Sequence, residues 1–480
     1  MGPARYPQHH HRYGGRLLII GFGSIGQGVL PLLLRHIEMP PEQLLVLSRR
    51  GDPSGIARAH GVVAEAVELT PANLRQELQR RIGASDFVLN LSVNVSSLAL
   101  IALCRELGAL YLDTCVEPWD GGYTDTRLQV AGRTNYAFRE QALALRAPGN
   151  EGPTALLAHG ANPGMVSYLV KQALIDLARD VGAPVAAPTR RDGWAALAEG
   201  LGVRVIHIAE RDWQVAAPGQ PPRRPGEFLN TWSVEGFVDE ACHQPAELGW
   251  GTHEREWPAD ARRHDSGCQA AIYLNRPGAA TRVRSWTPLA GPQQAFLVTH
   301  AESISIADHL TLGDAAAPRY RPTVHYAYRP CDDAVLSLAD AAAREWRLGE
   351  GERVLKDEIE PAGRDELGVL LMGHAKGAYW LGSRLSTADA RALCPHNSAT
   401  SLQVTAAVMA GVVWAMRHPA AGIVEADDLP FAQMLDLMQP YLGDLVGAYS
   451  DWTPLVGRAW LFDEELDRED PWQFRNFRVA

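Results

Sequence analysis

Two stretches of the chain set acids beside aromatic rings. The first is His207-Ile208-Ala209-Glu210-Arg211-Asp212-Trp213-Gln214. The second is Asn230-Thr231-Trp232-Ser233-Val234-Glu235-Gly236-Phe237-Val238-Asp239-Glu240. If the first is a strand, the period of two places Glu210 and Asp212 on one face. Carboxylates beside an indole suit an aliphatic diammonium ligand. The acids offset its charge, and a ring face adds a cation–π contact worth about 0.5–2 kcal/mol. The competing reading packs Trp213 and Trp232 in the core and leaves the acids in water. His300, in Val298-Thr299-His300-Ala301-Glu302-Ser303, is either a proton shuttle or a satisfied core histidine.

Such side chains need a scaffold, and the sequence supplies one. The apolar run Leu17 to Ile20 meets Gly21-Phe22-Gly23-Ser24-Ile25-Gly26, and an apolar helical stretch follows. In a dinucleotide-binding turn the first glycine makes the bend and the second clears space for a pyrophosphate. The third lets helix and strand pack closely, with the helix start facing the phosphates. Gly21, Gly23, Ser24, Ile25 and Gly26 are therefore candidate cofactor contacts. Strands are expected at 43–47, 65–69, 86–91 and 109–113, with helices at 71–81 and 97–107 between them; a linker at 147–153 breaks the pattern before a further strand at 154–158. This alternation implies a doubly wound parallel sheet of the Rossmann kind. Residues at the carboxyl ends of its strands line the crevice, which nominates Asn90, Ser92, Asn94, Asp113, Thr114 and Glu117. The strand ending at Leu47 leads into Ser48-Arg49-Arg50-Gly51-Asp52 rather than directly into the acid that usually holds the adenosine ribose. Arg49 or Arg50 could meet a 2′-phosphate, so the choice between NAD and NADP stays open.

Further along, Asn162 in His159-Gly-Ala-Asn-Pro-Gly164 is a candidate N-cap for the helix that follows. The expected organisation is a flexible tail at 1–15, a dinucleotide-binding domain at 16–153 and an α+β substrate and dimerisation domain at 154–390. A helical segment at 391–480 would complete the first domain. The histidine run His9 to His11 reads as tail or as a metal-binding tract.

Composition narrows the function classes. In 480 residues, 45 Lys+Arg stand against 56 Asp+Glu, a formal net charge of −11. That argues against a nucleic-acid partner and is compatible with cationic ligands. Six cysteines without a CxxC pair point away from disulfide or zinc frameworks and towards a reducing cytoplasm. The most apolar stretch, Leu402 to Met416, contains Gln403 and Thr405 and falls short of the ~18 apolar residues of a membrane span. It reads as a buried helix.

Taken in order, Gly-Phe-Gly-Ser-Ile-Gly26, Asp113-Thr-Cys-Val-Glu117-Pro-Trp, His159-Gly-Ala-Asn-Pro-Gly164, Glu210-Arg-Asp and Asn230-Thr-Trp-Ser233 resemble the bacterial homospermidine synthase family over most of the chain. That family is related in fold to saccharopine dehydrogenase. The resemblance implies a homodimer with NAD retained as a prosthetic group, and a redox-neutral aminobutyl transfer between two putrescines through imines. It also implies roles for single residues: Trp232 as the cation–π residue, and Glu210 and Glu240 as substrate-binding acids. Glu117 and Asn162 would lie at the inner end of the site, with His300 as the active-site histidine. Trp213 stands where the family tends to have Thr, which could reshape the site entrance.

The chemistry agrees with the residues. Oxidising an amine needs a base on the reacting nitrogen, for which Glu210, Glu117 and His300 are candidates. The distal ammonium needs fixing, by Glu240 or Asp239 with Trp232. The imine needs shelter from water. One alternative is a net oxidoreductase of the saccharopine or carboxynorspermidine dehydrogenase kind, gripping a carboxylate through Arg255, Arg262, Arg263 or Arg282. A second is a non-catalytic dinucleotide-binding regulator, in which Trp232 only packs.

Overall fold

A computed structural model describes residues 9–183 and 186–479. The first sheet is built from β1 (Leu17–Ile20), β2 (Leu44–Ser48), β3 (Val63–Ala66), β4 (Phe87–Asn90), β5 (Leu110–Asp113) and β6 (Ala155–Leu157). All pair in parallel, in the order β3-β2-β1-β4-β5-β6, and Ile423–Glu425 adds a seventh strand beside β6. The direction of winding reverses between β1 and β4, which opens a crevice at their carboxyl ends. The central strands β1, β4 and β5 are short apolar runs buried on both faces, as helices on either side of a parallel sheet require. Two of those helices are α1 (Ser24–His36), after β1, and α2 (Ser97–Leu107), after β4. Ser96 caps α2 by accepting from the Ala99 N–H at 3.3 Å, which leaves α2 anchored beside the crevice.

The chain then enters a second unit through α3 (Met165–Asp180). Its eleven-stranded mixed sheet contains β7 (Val205–Asp212), β8 (Thr323–Arg329) and β9 (Arg364–His374). Strand β8 pairs with β7 in parallel and β9 pairs with it in antiparallel fashion, so Tyr328 stands beside Glu210 and Asp365 opposite Asp212. Almost every β7 residue is buried, as expected of a central strand covered on both faces.

Three boundaries differ from the sequence expectation. Residues 9–15 pack on the first domain: His11–Arg12 pair with Ile37–Glu38, and the buried Tyr13 hydroxyl donates to Ser85 O at 2.5 Å. Of the expected tail at 1–15, residues 1–8 lie outside the described residues, whereas the histidine run His9 to His11 lies within them. Strand β6 belongs to the first sheet, not the second. The C-terminal part is divided: the long helix α4 (Ala399–Arg417) packs on α1, whereas Asp444–Ser450 and Arg478–Val479 pair into the second sheet. Among the described residues α4 alone has the length and apolarity to cross a membrane, and 94% of its apolar window is buried inside the protein.

One buried cation ties the two units together. Arg139 is 3% exposed and pairs with Glu425 at 2.6 Å, Asp308 at 2.9 Å and Glu140 at 2.8 Å. Removing the cation strands acids that were arranged around it, at a cost of about 3–5 kcal/mol. Arg139→Met is therefore expected to lower the urea unfolding free energy by that amount. An unchanged midpoint would show that the network contributes nothing.

Candidate active site

The glycine turn fits a dinucleotide. Gly21 has φ +90°, and a Cβ there would stand 2.7 Å from Leu91 C. A Cβ on Gly26 would meet Gly21 O at 2.6 Å, so only glycine allows α1 to approach β1 this closely. Around Gly23 nothing lies within 4 Å of a Cβ position, so open space faces the start of α1. That helix begins at Ser24 and Ile25 with no acid in its first turn, an arrangement that favours an anion. Asn90 Oδ1 accepts from both Ser92 N (3.3 Å) and Ser92 Oγ (2.6 Å), fixing the loop after β4. Thr114 is half-buried at the end of β5.

Asp113 does not turn its carboxylate to this crevice. It is fully buried and accepts from Ala158 N at 2.6 Å and Tyr111 Oη at 2.8 Å, joining β5 to the segment after β6. Burial pushes its pKa up to about 6, against those hydrogen bonds.

The acids meet where the second sheet faces the first domain. Glu210, 2% exposed, accepts from Tyr326 Oη at 2.5 Å and from Asn162 Nδ2 at 3.3 Å. Asn162 is thus not an N-cap; Gly164 occupies that position, which leaves the amide for Glu210. Burial, with Asp212 adding to it, pushes the Glu210 carboxyl up to about 8, while Tyr326 and the His300 charge pull the other way. Asp212 is held by Thr231 Oγ1 at 2.5 Å and by Gln214 N at 2.8 Å. These bonds leave it structural rather than available.

Two residues of the second stretch, Asp239 and Glu240, lie on a widened helical turn, Asp239–His243, a local geometry frequent at functional sites. Asp239 Oδ1 pairs with His243 Nδ1 at 2.7 Å. Glu240 Oε2 lies 2.8 Å from His300 Nε2, and Glu302 Oε1 lies 3.2 Å from His300 Nδ1. Burial alone would lower the His300 pKa, but the two flanking carboxylates raise it well above the ordinary histidine value. His300 is consequently a clamped imidazolium and not a free proton shuttle. Its ring lies 4.5 Å from that of Tyr326, which stacks on Tyr328 at 5.2 Å.

Trp232 is half-buried and donates from Nε1 to Tyr328 Oη at 3.1 Å, with its edge against Phe237. This holds the indole plane without enclosing it in the core. Glu117 is 5% exposed, and its Oε2 has no hydrogen-bond partner among the described residues. Burial, then Asp239 and Glu240, hold its carboxyl well above the usual range. Asn94 Nδ2 donates to Glu235 Oε1 at 3.0 Å. Trp213 sits at the surface under the Arg211 guanidinium and bonded to Glu366. Arg255, Arg262, Arg263 and Arg282 are all exposed.

Sequence reasoning missed Tyr326, Tyr328 and Glu302. The alternation of tyrosines along Val324-His-Tyr-Ala-Tyr328 was the available signal for the first two. For Glu302 it was the spacing of two from His300.

Comparison with known proteins agrees with this arrangement. The saccharopine dehydrogenase NADP binding domain family matches residues 17–156, and the saccharopine dehydrogenase C-terminal domain family matches 160–450. A homospermidine synthase of Blastochloris viridis is 54% identical over 474 residues, 98% of each chain. One from Mesorhizobium japonicum is 48% identical, covering 97% of this chain and 96% of the other. The crystal structure of homospermidine synthase from Legionella pneumophila in complex with NAD superposes with a TM-score of 0.90, at 45% identity over 98% of each chain. From its glycine turn to its buried acids, the chain belongs to the homospermidine synthase family.

Proposed function

We infer that this chain forms homospermidine and ammonia from two molecules of putrescine, with NAD as a bound cofactor. In the donor the carbon–nitrogen bond to the departing ammonia breaks. A carbon–nitrogen bond to the amine of the second putrescine forms in its place. The observation that carries this reading is the charge balance of the cleft. Glu240 pairs with one buried imidazolium, His300, whose charge Glu210 also feels; Glu117 lies within the influence of Asp239 and Glu240, and its Oε2 has no hydrogen-bond partner among the described residues. A ligand with an ammonium at each end supplies the missing positive charge.

NAD, when bound, supplies the hydride acceptor and then the hydride donor that make the reaction redox-neutral. The protein residues then divide the remaining work. Trp232 presents its ring face to the aliphatic ammonium. Glu117, orphaned and buried, fits the inner ammonium. Glu210, whose protonation changes near neutral pH, takes a proton from the reacting nitrogen, and Asn162 and Tyr326 hold the carboxylate in place. Glu240 stabilises the charge of His300 together with Glu302. The surrounding domain walls keep water from the imine. The arginines that the dehydrogenase alternative would use, Arg255, Arg262, Arg263 and Arg282, are all exposed. The same reading keeps the homodimer, to be measured as the mass in solution.

Incubation with putrescine and substoichiometric NAD should yield homospermidine by mass spectrometry, with many turnovers per cofactor and no accumulating NADH. Stoichiometric NADH would show a net oxidoreductase instead. Because Glu210 must be unprotonated to act, kcat/KM should rise with pH and level off above about 8. Glu210→Gln should remove that ionisation and lower kcat by about 10²–10⁴-fold. Trp232→Leu should raise KM for putrescine by roughly 2- to 30-fold, the range of one cation–π contact, while Trp232→Phe loses less. Equal KM values across the three would make Trp232 a packing residue only.

A further inference from the structure

The end of β2 lacks the acid that a dinucleotide domain usually directs at the adenosine ribose. Ser48 Oγ donates to Gly51 O at 2.8 Å. Asp52 is occupied at the start of the next helix, accepting from Ile56 N and Arg58 N at 3.1 Å and from Ser54 Oγ at 2.8 Å. What stands at the strand end is Arg49, a residue suited to a 2′-phosphate.

A carboxylate does reach this point, from the other domain. Glu235 lies in the first turn of the short helix Val234–Val238 and accepts from Arg49 Nη2 at 3.2 Å and from Asn94 Nδ2 at 3.0 Å. Its neighbour Gly236 packs against the loop after β4, where an added Cβ would stand 3.6 Å from Val93 Cγ1. Glu235 therefore bridges the loops after β2 and β4 on either side of the glycine turn. Both side chains of the ion pair are substantially exposed, at 59% and 35%. Pairs of this kind add little to stability, which leaves the placement of the two charges as their main consequence.

We propose that Glu235 supplies from the second domain the carboxylate missing at the end of β2, accepting hydrogen bonds from the adenosine ribose while engaging Arg49, and so selects NAD against NADP. A 2′-phosphate would meet the Glu235 charge and would find Arg49 already paired. Specificity here is a difference of affinities with a built-in repulsion. The inference rests on the NAD-dependent reading above.

The test uses the purified full-length protein incubated with equimolar NAD and NADP, desalted and denatured, with the released nucleotides quantified by mass spectrometry. The unsubstituted protein should release NAD almost alone. Glu235→Gln should raise the NADP:NAD ratio by about tenfold or more. Glu235→Asp should keep the original ratio, and Glu235→Gln with Arg49→Ala should lose the gain. A folded Glu235→Gln protein with an unchanged ratio would overturn this inference and leave the function intact. An unsubstituted protein that retains neither nucleotide would overturn the NAD reading and this one with it.

Discussion

His300 carries its charge where water scarcely reaches it, and Glu240 and Glu302 make that possible. An isolated imidazolium at that depth would lose its proton. With a carboxylate on each nitrogen it stays charged, and its geometry becomes fixed. Other placements follow from it. The widened turn at Asp239–His243 brings Glu240 to the ring, and the ring lies against Tyr326, which holds Glu210. The positive charge also tempers Glu210: without it, burial and Asp212 would push that carboxyl higher still. The clamp thus sets both the shape of the cleft and the pH range over which its principal acid changes state.

The parts of the structure that are local in sequence were legible. The glycine turn works through a strand, a bend and a helix start that lie side by side in the chain, and each glycine is read from its own neighbours. Glu210 was accessible through the period of two. Asp113 shows the limit of such reasoning. Its position at a strand end was right, but which way a side chain turns there depends on the next strand, whose Ala158 N–H captures it. Tyr326 and Tyr328 were hidden because aromatic residues in a fully buried strand look like core. The strand Asp444–Ser450 was read as helical surroundings because it is an edge strand, half-exposed and interrupted by Gly447, with no alternating apolar pattern. Asn162 was assigned to a cap because its tertiary partner lies 48 residues away.

Residue type alone also misjudged which charges would be spent. Asp212, Asp239 and Glu302 are all acids near the cleft, yet each is committed to a protein donor or cation. Glu117, like Glu302, keeps one buried oxygen without a hydrogen-bond partner, but unlike Glu302 it is paired with no cation among the described residues. The distinction between a structural and a ligand-seeking carboxylate lies in this count of partners, which depends on chain segments far apart in sequence.

The return of the chain to its first sheet has a mechanical consequence. After building most of the second sheet it re-enters the first domain through α4 and the strand Ile423–Glu425, then leaves again to place Asp444–Ser450 beside the second sheet. Two bodies sewn together by repeated passes cannot swing apart like the halves of a clamshell on a single linker. Opening of the cleft must therefore flex several chain segments together rather than one.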